Sequence, residues 1–184
     1  MSHVPLPSVV CVALVLCLAS AKAASATLLV PTNYATIQAA IDAAAPGDTV
    51  QVLGGIYIEQ LRVQKDVAIV GAGMDATVVR APYMLRRGAL KETAIVEIFN
   101  GAKVAISKLT VGGPGQGTCK RGALKAGIRV HGNAHLDFNG GAVRDIQDTP
   151  LAPCFRSGTG ILVGEQESLA VMQVAMFRAW VLPL

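Results

Sequence analysis

The chain has 184 residues, with 52% hydrophobic and only 15% charged side chains and 19 glycines, a balance that suits one domain with a real core and excludes a disordered chain. Its net charge of +4 is scattered as single or paired basic residues (Arg86-Arg87, Lys120-Arg121). With aromatics at 4%, neither a basic run nor a set of stacking rings is present, so nucleic acid is not expected as a partner.

Residues 1–26 read as a secretory leader. Val9 to Ala19 is an apolar run too short to span a bilayer comfortably. Ala21-Lys-Ala23 and Ala24-Ser-Ala26 both fit a small-x-small cleavage site. The start departs from the usual pattern in lacking Lys and Arg, and bulky Leu16 before Cys17 speaks against a lipoprotein. The expectation is a secreted or periplasmic protein with no membrane segment once the leader is removed. Cys11 and Cys17 leave with the leader; Cys119 and Cys154 remain, and an even pair in an exported protein suggests one disulfide.

Residues 27–48 form an expected capping segment. Within it, Tyr34, Ile37, Ile41 and Ala44 fall on one face of a helix over 34–45, stopped by Pro46-Gly47. Such a helix suits an uncapped parallel strand edge, which otherwise invites association.

From 49 to 170 the chain repeats. Val96-Glu-Ile98, Gly101-Ala102 and Val104-Ala-Ile106 match Ile128-Arg-Val130, Asn133-Ala134 and Leu136-Asp-Phe138 at a spacing of 32 residues. A third copy, Ile161-Leu-Val163 and Leu169-Ala-Val171, follows 33 residues later, and a looser one, Leu61-Arg-Val63 and Val67-Ala-Ile69, precedes them. Each unit is two short strands with period-2 alternation around a polar or Gly turn. Stacked as parallel rungs about 4.8 Å apart, they bury inward columns: Ile98, Val130 and Val163 in one, Val104, Leu136 and Leu169 in another. An antiparallel sandwich would also use short strands, but near-constant spacing favours the all-β solenoid.

Each unit carries a long loop, Gly112 to Lys125 and then Asp145 to Gly158. Cys119 lies nine residues before Ile128 and Cys154 seven before Ile161, near-equivalent places on adjacent rungs. One rung spacing lies within disulfide reach, so a Cys119–Cys154 bridge is expected, with two unpaired loop cysteines as the alternative. Residues 171–184 are apolar on all sides and lack turn residues. A final strand pair, a makeshift cap, a truncation and a shifted frame all fit them, with an incomplete solenoid favoured.

The run Pro31-Thr-Asn-Tyr-Ala-Thr-Ile through Gly55-Ile-Tyr57, followed by Leu61-Arg-Val63 and Val67-Ala-Ile-Val-Gly-Ala-Gly73, resembles the opening of the pectin lyase-like superfamily of right-handed parallel β-helix proteins. The resemblance covers about Thr27 to Ala170. It implies a right-handed parallel β-helix with an amino-terminal capping α-helix, only the amino-terminal part of a usual member. Gly55-Ile-Tyr57 and Glu59 echo pectinesterases, yet the Gln-x-Arg-x-Asp and Asp-Phe-Ile-Phe-Gly segments of their active sites are not found. Pectate lyases need an acidic calcium cluster beside a basic residue; the nearest approach is Asp145 and Asp148 with Arg144, which reads as solvated loop charge. No catalytic residue is therefore assigned.

Outward rows follow from the repeat: Glu97 towards Arg129, Lys103 towards His135, and Asp137 beside Ala105 and Ala170. Such a row could hydrogen-bond sugar hydroxyls, or simply make a soluble sheet face. His131 and His135 stand four apart across a Gly-Asn turn with neither Cys-x-x-Cys nor clustered Met, so no metal is expected. Gly71-Ala-Gly73 lacks a following Gly-Lys-Ser/Thr and reads as a turn. The expected function is an exported, non-catalytic β-helix protein, with extracellular or envelope polysaccharide as its partner and no cofactor. The alternatives are a fragment of a carbohydrate-active enzyme of esterase or lyase type, and an unstable truncated product. Self-association through an uncapped carboxy-terminal rung is the other expected partnership.

Overall fold

The computed structural model describes residues 24–86, 93–114, 124–147, 158–164 and 169–173. The chain runs through β1 (Thr27–Val30), α1 (Ile37–Ala43), β2 (Asp48–Val52), β3 (Gly55–Ile58) and β4 (Leu61–Val63). It continues as β5 (Val67–Val70), β6 (Thr77–Arg80), β7 (Ala94–Ile98), β8 (Lys103–Ser107), β9 (Thr110–Gly112) and β10 (Ala126–Val130). β11 (His135–Asn139), β12 (Ala142–Arg144), β13 (Thr159–Val163) and β14 (Leu169–Gln173) follow. They form three sheets, ordered β1-β2-β5-β8-β11-β14, β12-β9-β6-β3 and β13-β10-β7-β4. Every strand pair is parallel. The chain visits the first, second and third sheets in turn, and each new strand pairs with its predecessor in the same sheet. The result is an all-β fold of stacked parallel sheets with one short helix among the described residues, compatible with a parallel β-helix.

The registers decide which side chains meet. In the third sheet Val63, Ile98, Val130 and Val163 fall in one column, and Leu61, Val96, Ile128 and Ile161 in another. In the first, Val50, Ile69, Ile106 and Phe138 are neighbours. Tyr57, Val79, Val111 and Val143 make the column of the second. Most of these side chains are buried, and at roughly 25 cal/mol per Å² of apolar surface they are the main stabilising term.

Three expectations change. First, each circuit carries three strands, not two: β3, β6, β9 and β12 occupy stretches too short for alternation to show. Second, Leu136 faces Ala170, not Leu169, which pairs with His135 instead. Four residues (131–134) link β10 to β11, whereas five (164–168) link β13 to β14, so the last strand is displaced by one. Asp137 accordingly neighbours Ala105 and Val171, not Ala170.

Third, the helix is shorter than 34–45. Thr36 has extended backbone (φ −133°, ψ 155°) and its Oγ1 accepts from the Ala39 N–H at 3.1 Å, so the helix starts after it. At the other end Ala44 is extended (ψ 141°), and Ala45 is held out of the helical region by Pro46. Ile37, Ala40, Ile41 and Ala44 are buried as the stripe requires.

Turn chemistry repeats with the circuits. Between β7 and β8, Asn100 (φ 62°) and Gly101 (φ 69°) are both left-handed; between β10 and β11, Gly132 (φ 63°) and Asn133 (φ 61°) are too. Two consecutive positive φ values favour Gly and Asn. The Gly101 N–H donates to the Gly132 carbonyl at 2.8 Å, tying one turn to the next.

Candidate functional site

The outer face of the first sheet carries the exposed polar row. Lys103 stands opposite His135, Ala105 opposite Asp137, and Ser107 opposite Asn139. Lys103, Ala105, Asp137 and Asn139 are exposed, and His135 and Ser107 half-buried. These side chains project from alternate positions of β8 and β11, whose intervening residues Val104, Ile106, Leu136 and Phe138 are buried. Hydrophobic alternation alone therefore fixes which face is polar. The face continues over Ala68, opposite Ala105, giving a floor of small side chains beside donors and acceptors.

Glu97 and Arg129 are opposed as expected, but they do not belong to an exposed row: both are buried. The Glu97 carboxylate lies 3.2 Å through Oε2 from Arg62 Nε and 3.1 Å through Oε1 from His131 Nε2. The Phe99 ring stacks on the His131 imidazole, 5.6 Å between centroids and 7° from parallel. The Arg62 guanidinium sits 4.9 Å over the same ring. Arg62, with its side chain 54% exposed, and the half-buried Phe99 open to solvent. A carboxylate holding an imidazole is the geometry of a general-base pair. Here the polar atoms of Glu97 are already engaged by the protein, and both Glu97 and His131 are buried.

Of the residues that echoed pectinesterases, Glu59 is occupied with the helix. Glu59 accepts the N–H groups of Ile37 (3.1 Å) and Gln38 (3.0 Å) at the start of α1. Lys65 Nζ donates to the carbonyls of Asp42 and Ala44, both at 2.9 Å, at its end. Between them, Gln38 Oε1 accepts from the Arg62 N–H (2.8 Å) and Gln38 Nε2 donates to the Arg62 carbonyl (3.2 Å). The Tyr57 hydroxyl donates to the Leu53 carbonyl at 3.0 Å. Burial, and secondarily the Glu59 carboxylate, raise the Tyr57 phenol above its ordinary value of 10.0.

Arg144 Nη2 reaches Thr110 Oγ1 (3.3 Å) and, at 3.5 Å, Asp75 Oδ1. Asp148 lies outside the described residues, as do Cys119 and Cys154. His131 is engaged by Glu97 while His135 opens β11 opposite Lys103. Among the described residues no group of three or more His, Cys, Asp or Glu side chains comes together. Gly71 and Gly73 lie in a turn, their N–H groups donating at 2.9 Å to the Ser107 and Lys108 carbonyls.

Three long connections leave the second sheet at one place. They depart from Arg80, Gly112 and Arg144, which are in register, and re-enter at Ala94, Ala126 and Thr159, also in register. The equivalent step from β3 to β4 takes only residues 59–60. Long loops rooted on a rigid scaffold are where variation and binding concentrate.

No protein-family model matches this chain, and no curated protein matches it either. The contacts of Gln38 with β4, and of Glu59 and Lys65 with α1, were not legible in the sequence. Their partners lie more than 20 residues away, and no local spacing marks such contacts.

Proposed function

We propose that this is an exported right-handed parallel β-helix protein of pectin lyase-like type that binds polysaccharide through the outer face of its first sheet. The observation that carries the reading is the outward polar row of adjacent, in-register strands, exposed at Lys103, Asp137 and Asn139 and half-buried at His135 and Ser107. Sugar hydroxyls need both donors and acceptors, and this row offers both beside the small side chains of Ala68 and Ala105. We read this binding as non-catalytic because the esterase and lyase active-site segments are not found in the sequence.

Export follows from the leader. Ala26 donates its N–H to Asp48 Oδ1 at 2.8 Å and accepts from the Thr49 N–H, which favours cleavage after Ala23 over cleavage after Ala26. The Cys119–Cys154 bridge belongs to the same reading, and a thiol assay on the unfolded, unreduced protein should find both cysteines unreactive. Contact between copies through the carboxy-terminal strands is part of it as well.

The test is a glycan array on the purified chain, beside Asp137→Ala/His135→Ala, with pectin de-esterification and lyase assays in parallel. Binding of a polysaccharide weakened at least tenfold by the double variant is expected. Equal binding by both proteins would move the site elsewhere, and turnover of any uronate polymer would replace the binding reading with an enzymatic one.

A further inference from the structure

The third sheet ends at β4, and something other than a strand completes that edge. Backbone groups of a parallel strand point alternately to its two neighbours. The Val63 carbonyl accepts from the Phe99 N–H and so faces β7, which leaves the N–H and carbonyl of Arg62 directed off the free edge. Both are taken by one side-chain amide, with Gln38 Oε1 at 2.8 Å from the N–H and Gln38 Nε2 at 3.2 Å from the carbonyl. An amide presents one acceptor and one donor side by side, as a peptide unit of a further strand would. The same Nε2 also donates to Asp42 Oδ1 at 2.8 Å. Glu59 and Lys65 hold the helix that carries it at both ends.

We propose that Gln38 is an edge-blocking residue: its amide stands in for the next strand and closes β4 against pairing with a second copy of this chain. A sheet of parallel strands has two unlike ends, here β4 and β13. Like ends can meet only about a two-fold axis, which closes at a dimer. Joining β13 of one copy to β4 of another repeats without closing and grows a filament. Blocking β4 therefore limits association through the carboxy-terminal end to two copies. Of the other two edges at that end, β1 has its Leu29 carbonyl taken by the Asn33 and Tyr34 N–H groups at 2.9 and 3.2 Å, and β3 stays open with Ile56 and Ile58 60% and 65% exposed; β3 by itself offers a second copy one sheet of the three.

Sedimentation velocity across a hundredfold range of protein concentration, with amide exchange followed at Arg62, tests this on the full chain. Gln38→Ala should exchange the Arg62 amide at least tenfold faster and form species that keep growing past a dimer. Asp42→Ala, which spares both bonds to Arg62, should behave as the unaltered chain. Gln38→Met keeps the stem length and helix propensity while removing both polar atoms, and serves if Gln38→Ala does not fold. A folded Gln38 variant that never exceeds the size of the unaltered chain would overturn the proposal. So would growth past a dimer by the unaltered chain or by Asp42→Ala.

Discussion

At the scale of single residues, the tightest constraint is steric. A Cβ on Gly71 would lie 2.2 Å from the Lys108 carbonyl oxygen and 2.8 Å from Leu109 Cβ, atoms of the next circuit's backbone and core. Gly71→Ala must push two circuits apart and should lower stability by about 1–3 kcal/mol in urea unfolding. Gly54→Ala, whose Cβ would meet nothing closer than 3.5 Å, should leave the midpoint nearly unchanged. Glu97 shows the asymmetry of a buried pair. Glu97→Ala leaves His131 without its partner in a buried site and should cost about 1–3 kcal/mol. Arg62→Ala, removing the half-exposed member, should cost under about 1 kcal/mol. Equal losses would mean that the carboxylate is not the centre of the cluster. Tyr57 adds a pH dependence of known sign. Its raised pKa means that the folded state holds the phenol proton more tightly than the unfolded chain does. Stability is thus full below pH 10 and falls as pH rises through the folded value; Tyr57→Phe should flatten that alkaline loss in denaturant midpoints.

At the scale of elements, the seven-residue α1 is held by Glu59 and Lys65, which flank β4, and by the grip of its own Gln38 on the Arg62 backbone. So short a helix is marginal alone. Glu59→Ala removes the acceptor of two N–H groups and should speed amide exchange at Ile37 and Gln38 at least tenfold while the exchange of β8 and β11 stays slow. Undiminished protection at those amides would assign the docking to apolar burial instead. The helix was legible through Ile37, Ile41 and Ala44, because tertiary burial and helical periodicity select the same positions. Its ends were not, since Thr36 and Pro46 act through backbone geometry that the apolar stripe does not report. Register was legible where an added residue falls in a long connection: Ile98, Val130 and Val163 align although they are 32 and then 33 residues apart, because the extra residue lies between Arg144 and Thr159. Leu169 fails because one added residue in 164–168 shifts β14, and a one-residue shift exchanges the two faces of a strand.

At the scale of the whole molecule, the architecture rests on three parallel sheets visited in turn. Apolar alternation at 32-residue spacing marks two of these sheets; the second leaves no such trace because β9 and β12 are three residues each. Of the polar rows, the pairings Glu97–Arg129 and Lys103–His135 were legible from the repeat, but the burial of the first pair depends on what packs over the third sheet and leaves no local trace. The one measurement that bears most directly on the fold is oxidative cross-linking of cysteine pairs on the outer face, in a chain whose own cysteines are changed to serine. Parallel registration places Ala105 opposite Asp137, within disulfide reach, and separates Lys103 from Asn139 by about four residue steps, roughly 13 Å. The account predicts rapid bridging of Ala105→Cys with Asp137→Cys and none of Lys103→Cys with Asn139→Cys. Bridging of the second pair would mean that the strands run in opposite directions, and would contradict it.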